Sequence, residues 1–153
     1  MADAEFESIL AEVTNAIQNV LNETQDLFAI TVAASTYANV YAKYTSQAEV
    51  PYAQRMESGG LADKNNYEVV VGTLESTIIN NTTGNAAYAN ATDGYDDGYI
   101  TDIIESGSGY RWRNSEIYNN PIPRPFMEHG GDIYVDEILI PRIDAALTSL
   151  LGG

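Results

Sequence analysis

No cysteine occurs in the 153 residues, so neither a disulfide framework nor a thiolate zinc site can be built. Bases are scarce as well: seven Lys and Arg, with Lys43 and Lys64 the only lysines, stand against 22 Asp and Glu, for a formal net charge of −15. That balance excludes a surface that grips nucleic acid backbone, because such binding needs a basic footprint to release counterions. Histidine occurs once, at His129 in Glu128-His129-Gly130-Gly131, and a single loop histidine reads as a surface residue rather than a general base. HExxH, phosphate-loop and nucleophile-elbow patterns are all missing, so the chain reads as non-enzymatic and needs no cofactor. The start, Met1-Ala2-Asp3-Ala4-Glu5, has no positive region, and the longest apolar run, residues 27–34 interrupted by Thr31, is too short to span a bilayer. The expectation is a soluble protein without a signal peptide and without a membrane partner.

What is present supports a globular fold. An apolar content of 44% in a chain of this length is enough for one domain, residues 1–153, with a real core. The acidity has two readings. Self-repulsion at −15 fades in roughly molar salt, where the Debye length is about 3 Å, which suits a salty interior; ordinary acidity that keeps a small protein soluble is the other.

Phe6, Ile9, Leu10, Val13, Ile17, Val20 and Leu21 recur at three and four, which predicts an amphipathic helix over residues 3–21. Asp3, Glu5 and Glu7 in its first turns complement the positive end of the helix dipole. Residues 27–44 mix β-branched and aromatic residues with alanine; the balance favours a strand at residues 28–32. Residues 45–66 read as a connection. A strand follows at residues 67–71, Gly72 breaks it, and residues 74–80 become strand-like at their end. Residues 80–98, poor in aliphatics and rich in Asn, Thr, Gly and Asp, read as a long exposed loop. Residues 99–105 and 110–113 around Ser106-Gly107-Ser108-Gly109 read as a hairpin. Three prolines at 121, 123 and 125 make a rigid extended corner, since each fixes φ near −65° and restrains its predecessor. Residues 127–131 read as a breaker, with Asp132 capping a last amphipathic helix that Pro141 kinks or divides, Pro141 then standing in the first turn of the second part. The layout predicts an α+β domain, with an N-terminal and a C-terminal helix packed on an antiparallel or mixed β-sheet.

Few side chains suggest chemistry. Asp93, Asp96 and Asp97, interleaved with glycine, could wrap calcium, yet they lack the ligand spacing and terminal Glu of an EF-hand loop and read better as a hydrated acidic loop. Arg111 and Arg113 flank Trp112; on a strand the arginines share one face, where pairing with carboxylates of this chain or a neighbour is the simpler account than base stacking, with Trp112 entering the core. Sequons at Asn22, Asn80, Asn81 and Asn90 are what an Asn- and Thr-rich chain produces by chance. A non-enzymatic acidic module that binds calcium or a glycan through the Asp93 to Asp97 loop and the tyrosines therefore remains an alternative function.

Three short patches carry a family resemblance. Gly72-Thr73-Leu74-Glu75-Ser76-Thr77-Ile78, then residues 99–109 with Glu105-Ser106-Gly107, then Pro123-Arg124-Pro125-Phe126-Met127 ahead of the C-terminal amphipathic helix, resemble in order the small neck proteins of tailed phages, the head–tail joining or tail-completion proteins. The resemblance implies a structural virion protein without enzymatic activity, forming a homo-oligomeric ring, a hexamer, between the capsid connector and the tail tube. It implies assembly in the host cytoplasm, neighbouring neck proteins and the tail tube or terminator as partners, and DNA passing through an acidic lumen without specific binding. Terminator, completion and head-closure layers all stay open. In this setting the proline corner is expected to orient Arg124, Pro125 and Phe126, together with Arg111 and Arg113, towards a neighbouring subunit.

Overall fold

The computed structural model describes residues 2–43, 58–83, 100–107 and 122–152. It is α+β, with helices at both ends of the described chain and a two-stranded antiparallel sheet between them. Helix α1, Ala2–Glu23, follows the apolar spacing read from the sequence, with Val20 and Leu21 buried at its end. Helix α2, Gln25–Asn39, follows after one residue, and the backbone ladder crosses the break through Thr24 N–H to Val20 O and Phe28 N–H to Thr24 O.

Residues 28–32 are thus helical, which corrects the expected strand. The β-branched residues there stand among Ala29, Ala33, Ala34 and Ala38, and burial recurs with helical period at Phe28, Ala29, Val32, Ala33, Thr36 and Val40. Hydroxyls that would disfavour a helix are satisfied within it: Thr31 donates to Leu27 O, Ser35 to Val32 O and Thr36 to Ala33 O.

Strands β1, Tyr67–Gly72, and β2, Glu75–Asn80, fall where the sequence suggested strands, and they pair with each other antiparallel from Tyr67↔Asn80 to Gly72↔Glu75. Their turn, Thr73-Leu74, rests on α1. Gln18 donates to Gly72 O at 2.8 Å and accepts from Leu74 N–H at 2.9 Å, holding Leu74 at a positive φ of 52°. The stretch after β2 opens in the interior: Asn80 and Thr82 are buried, and the Asn80 amide oxygen accepts from Thr82 N–H and from Thr101 Oγ1. This corrects the exposed loop at its first residues; residues 84–98 lie outside the described ones.

Helix α3, Thr101–Ser106, replaces the strand expected at 99–105. Ile100, Ile103 and Ile104 are spaced for a helix and only Ile104 is deeply buried, so the β propensity of isoleucine misled the reading. The partner strand at 110–113 lies outside the described residues.

Helix α4, Phe126–Ile133, begins directly after the proline corner and continues through a π-helical stretch, Tyr134–Leu139, into helix α5, Ile140–Leu151. The expected breaker at 127–131 and the cap at Asp132 are therefore corrected. Gly130 stays helical because α4 crosses α2 too closely for a side chain: a Cβ there would sit 2.6 Å from Val32 Cα and 2.8 Å from Ser35 Oγ. Pro141 does occupy the first turn of α5, as expected. It has no N–H and its ring crowds the carbonyl four residues back, and the wide turn before it, closed by Ile140 N–H to Val135 O, accommodates it.

The core lies where α2 meets α4, β1 and the π stretch, around Phe28, Val32, Val40, Leu61, Tyr67, Ile104, Phe126 and Tyr134. Tyr134 stacks on Phe28 with ring centroids 4.1 Å apart, and its hydroxyl bonds that of Thr24 at 2.7 Å. Helix α5 packs on α1. Among the described residues no helix is long and apolar enough to cross a membrane.

Candidate functional site

The proline corner is the most constrained part of the described chain. Pro125 precedes α4 and offers no side-chain cap, so the first N–H groups of α4 need acceptors from elsewhere. Glu105, on α3, supplies them: its Oε2 accepts from Met127 N–H and its Oε1 from Glu128 N–H, both at 3.1 Å. One carboxylate 22 residues upstream thus caps α4 and complements its dipole.

The backbone of α3 clasps the same corner. Arg124 N–H donates to Ile104 O at 3.2 Å and to Glu105 O at 3.1 Å, while its guanidinium Nη1 donates to Ile122 O at 3.0 Å. Gly107 ends α3 in the left-handed region at φ 70°, and a Cβ on it would fall 2.2 Å from the Ile122 carbonyl carbon. Only glycine fits both the turn and the approach. Two of the three sequence patches, Glu105-Ser106-Gly107 and Pro123-Arg124-Pro125-Phe126-Met127, therefore form a single corner. The third, at Gly72-Thr73-Leu74, is the hairpin turn held by Gln18 on α1.

Beyond the corner, α4 is keyed to α2. The single Ser35 hydroxyl proton is shared between Val32 O and Phe126 O, and His129 Nδ1 lies 2.7 Å from the Asn39 amide oxygen. Because Asn39 Nδ2 donates to Ser35 O, its other atom is the acceptor, so Nδ1 of His129 carries the proton.

Arg124 and Phe126 are both 0% exposed, and Pro125 is half-buried. The expectation that Arg124 and Phe126 face a neighbouring subunit is corrected: the corner turns them inward, Phe126 into the core against α2 and Arg124 beneath the Ile122 carbonyl. Arg111, Arg113, Asp93, Asp96 and Asp97 lie outside the described residues. Sequence reasoning missed Glu105 as a cap because no local pattern links it to residues 127 and 128. It missed Gly130 because Gly130-Gly131 reads as punctuation, although Phe126, Gly130 and Tyr134 are spaced by four on one helical face.

A second anchored group lies just before and at the start of β1. Asp63 accepts from Asn65 N–H and Gly59 N–H, and the Asn65 backbone bond above all holds its carboxyl below the usual carboxylate range. Tyr67, buried, donates its hydroxyl to Leu61 O, and burial pushes its phenol up. Both are structural fixings of the segment that leads into β1. The corner likewise holds a helix in place, and among the described residues no group of three or more His, Asp or Glu could hold a metal ion.

Fold and corner together define the class: a small, strongly acidic α+β protein whose C-terminal helical rod is set by a proline corner. Curated proteins and solved structures give no match to it. The model of one family, YomN, matches residues 5–148, and the chain belongs to this YomN family, which is phage-derived.

Proposed function

We infer that the chain is a non-enzymatic structural component of a phage virion, a neck subunit that joins the capsid connector to the tail tube as a homo-oligomeric ring. Membership of a phage-derived family over residues 5–148 carries this reading. The resemblance to head–tail joining and tail-completion proteins supports it further, since two of the patches behind that resemblance meet at one corner through Glu105, Arg124 and Gly107. An acidic ring suits a channel for DNA, because a chain of net charge −15 repels phosphates rather than holding them.

The test is direct. Antibody labelling of purified virions under the electron microscope should place the protein at the head–tail junction, and light scattering of the purified chain in high salt should give a closed oligomer, expected to be six copies. A protein absent from particles and strictly monomeric at all salt concentrations would overturn the reading.

A further inference from the structure

The apolar stripe of α1 is covered over only part of its length. Val20 and Leu21 are buried, Val13 and Ile17 half-buried, but Phe6, Ile9 and Leu10 are 66%, 50% and 52% exposed. On a helical wheel of 100° per residue these seven share one sector, so the outer three continue the stripe along which the rest of the chain packs.

Helix α5 ends at the same place. The Thr24–Tyr134 hydroxyl bond joins the two helical rods at one end, and α5 packs on α1. The rods therefore run antiparallel away from that bond. At 1.5 Å per residue, Leu151, seventeen residues past Tyr134, comes level with about Glu7, seventeen residues before Thr24. Leu150 and Leu151, 38% and 63% exposed, thus come level with Phe6, Ile9 and Leu10 at the free tip of the pair. An apolar tip of this kind marks an interaction site.

The border of the tip identifies what fits it. Glu5 and Glu12 flank one side of the α1 stripe, Asp3 and Glu7 the other, and all four are exposed. No base occurs before Lys43, and α5 adds Asp144 but no base beyond Arg142 at its far end. A second copy docking tip to tip would set these carboxylates against their own kind, and an anionic lipid surface or nucleic acid would meet the same repulsion. We propose that the α1–α5 tip is the docking site for a different protein, one that presents an apolar groove or helix face bordered by lysine and arginine. This interaction goes beyond ring formation and does not depend on it.

Two synthetic helical peptides of identical leucine stripe, one flanked by lysine and one by glutamate, serve as probes for the full-length protein in fluorescence anisotropy. The lysine-flanked peptide should bind at least tenfold more tightly, with affinity falling as salt rises. The double variant F6Q/L10Q, altered only at exposed positions and checked for an unchanged helical spectrum, should lose most of that binding. The charge-reversed variant E5K/E12K should narrow or invert the preference between the peptides. Equal binding of both peptides, binding that survives F6Q/L10Q, or self-association in sedimentation that F6Q/L10Q abolishes would each overturn the proposal, the last in favour of a second copy.

Discussion

Glu105 and Phe126 occupy the same corner but contribute to it differently. Phe126 is fully enclosed, so Phe126→Ala leaves a cavity and should cost about 3–5 kcal/mol of unfolding free energy. Glu105→Ala removes a cap from the partly exposed start of α4 and should cost about 1 kcal/mol. Urea unfolding of the two variants checks the order; a Phe126→Ala protein as stable as the parent would mean that the residue does not belong to the core. Tyr67 adds a pH dependence. Burial raises its phenol above the ordinary 10.0, so its contribution is fully present below that value and is lost as pH rises from there towards the raised folded-state value. Tyr67→Phe should lower stability at neutral pH by about 1 kcal/mol, through loss of the bond to Leu61 O, and should flatten the alkaline decline. Unfolding curves at neutral pH and at about pH 11 would measure both effects; an unchanged alkaline slope would remove Tyr67 as its cause.

Among the elements, the π-helical stretch makes the sharpest claim. If it exists to seat Pro141, deleting the exposed Asp136 returns the turn to α geometry and brings the proline ring against the carbonyl four residues back, costing about 3 kcal/mol. Combining that deletion with Pro141→Ala should restore most of the loss, a coupling that thermal melts of the two single variants and the double variant would reveal. A deletion as stable as the parent would show that something other than Pro141 widens the turn. The elements that could be read in the sequence were those with one dominant local signal: α1 from its three- and four-residue spacing, β1 and β2 from β-rich residues on either side of Gly72, and Pro141 from its rigid φ. The elements misread were those in which composition opposed position. Isoleucine, valine and threonine in α2 and isoleucine in α3 suggested strands, while alanine spacing with internal hydroxyl bonds made α2 a helix and the Ile100-Ile103-Ile104 spacing made α3 one. Gly130 looked like an interruption because the partner that demands its smallness, Val32, is distant in sequence. For the same reason the corner was legible as a rigid bend, whereas the inward direction of Arg124 and Phe126 was not.

For the whole molecule, charge is the dominant variable. With a net −15 and six acids but no base in residues 1–42, the fold should gain stability as salt shortens the Debye length from about 10 Å at 0.1 M to about 3 Å at 1 M. Thermal melts across that range in potassium chloride should rise by at least about 5 °C, which at this chain length corresponds to roughly 1–2 kcal/mol. A flat profile would mean that the acids are spaced too far apart to repel one another. The core has a further consequence, for the order of events in synthesis. The bonds that fasten α2 and its approach join Ser35 to Phe126 and Thr24 to Tyr134, 91 and 110 residues apart. On the ribosome, α1 and α2 emerge early, yet the face bearing Phe28, Val32 and Thr36 stays incompletely covered until α4 and the π stretch have been made. Closure of such long loops is slow, and the uncovered face is meanwhile a surface for misassociation. Nascent chains stalled before residue 126 should therefore engage chaperones, and their release should coincide with the emergence of Tyr134.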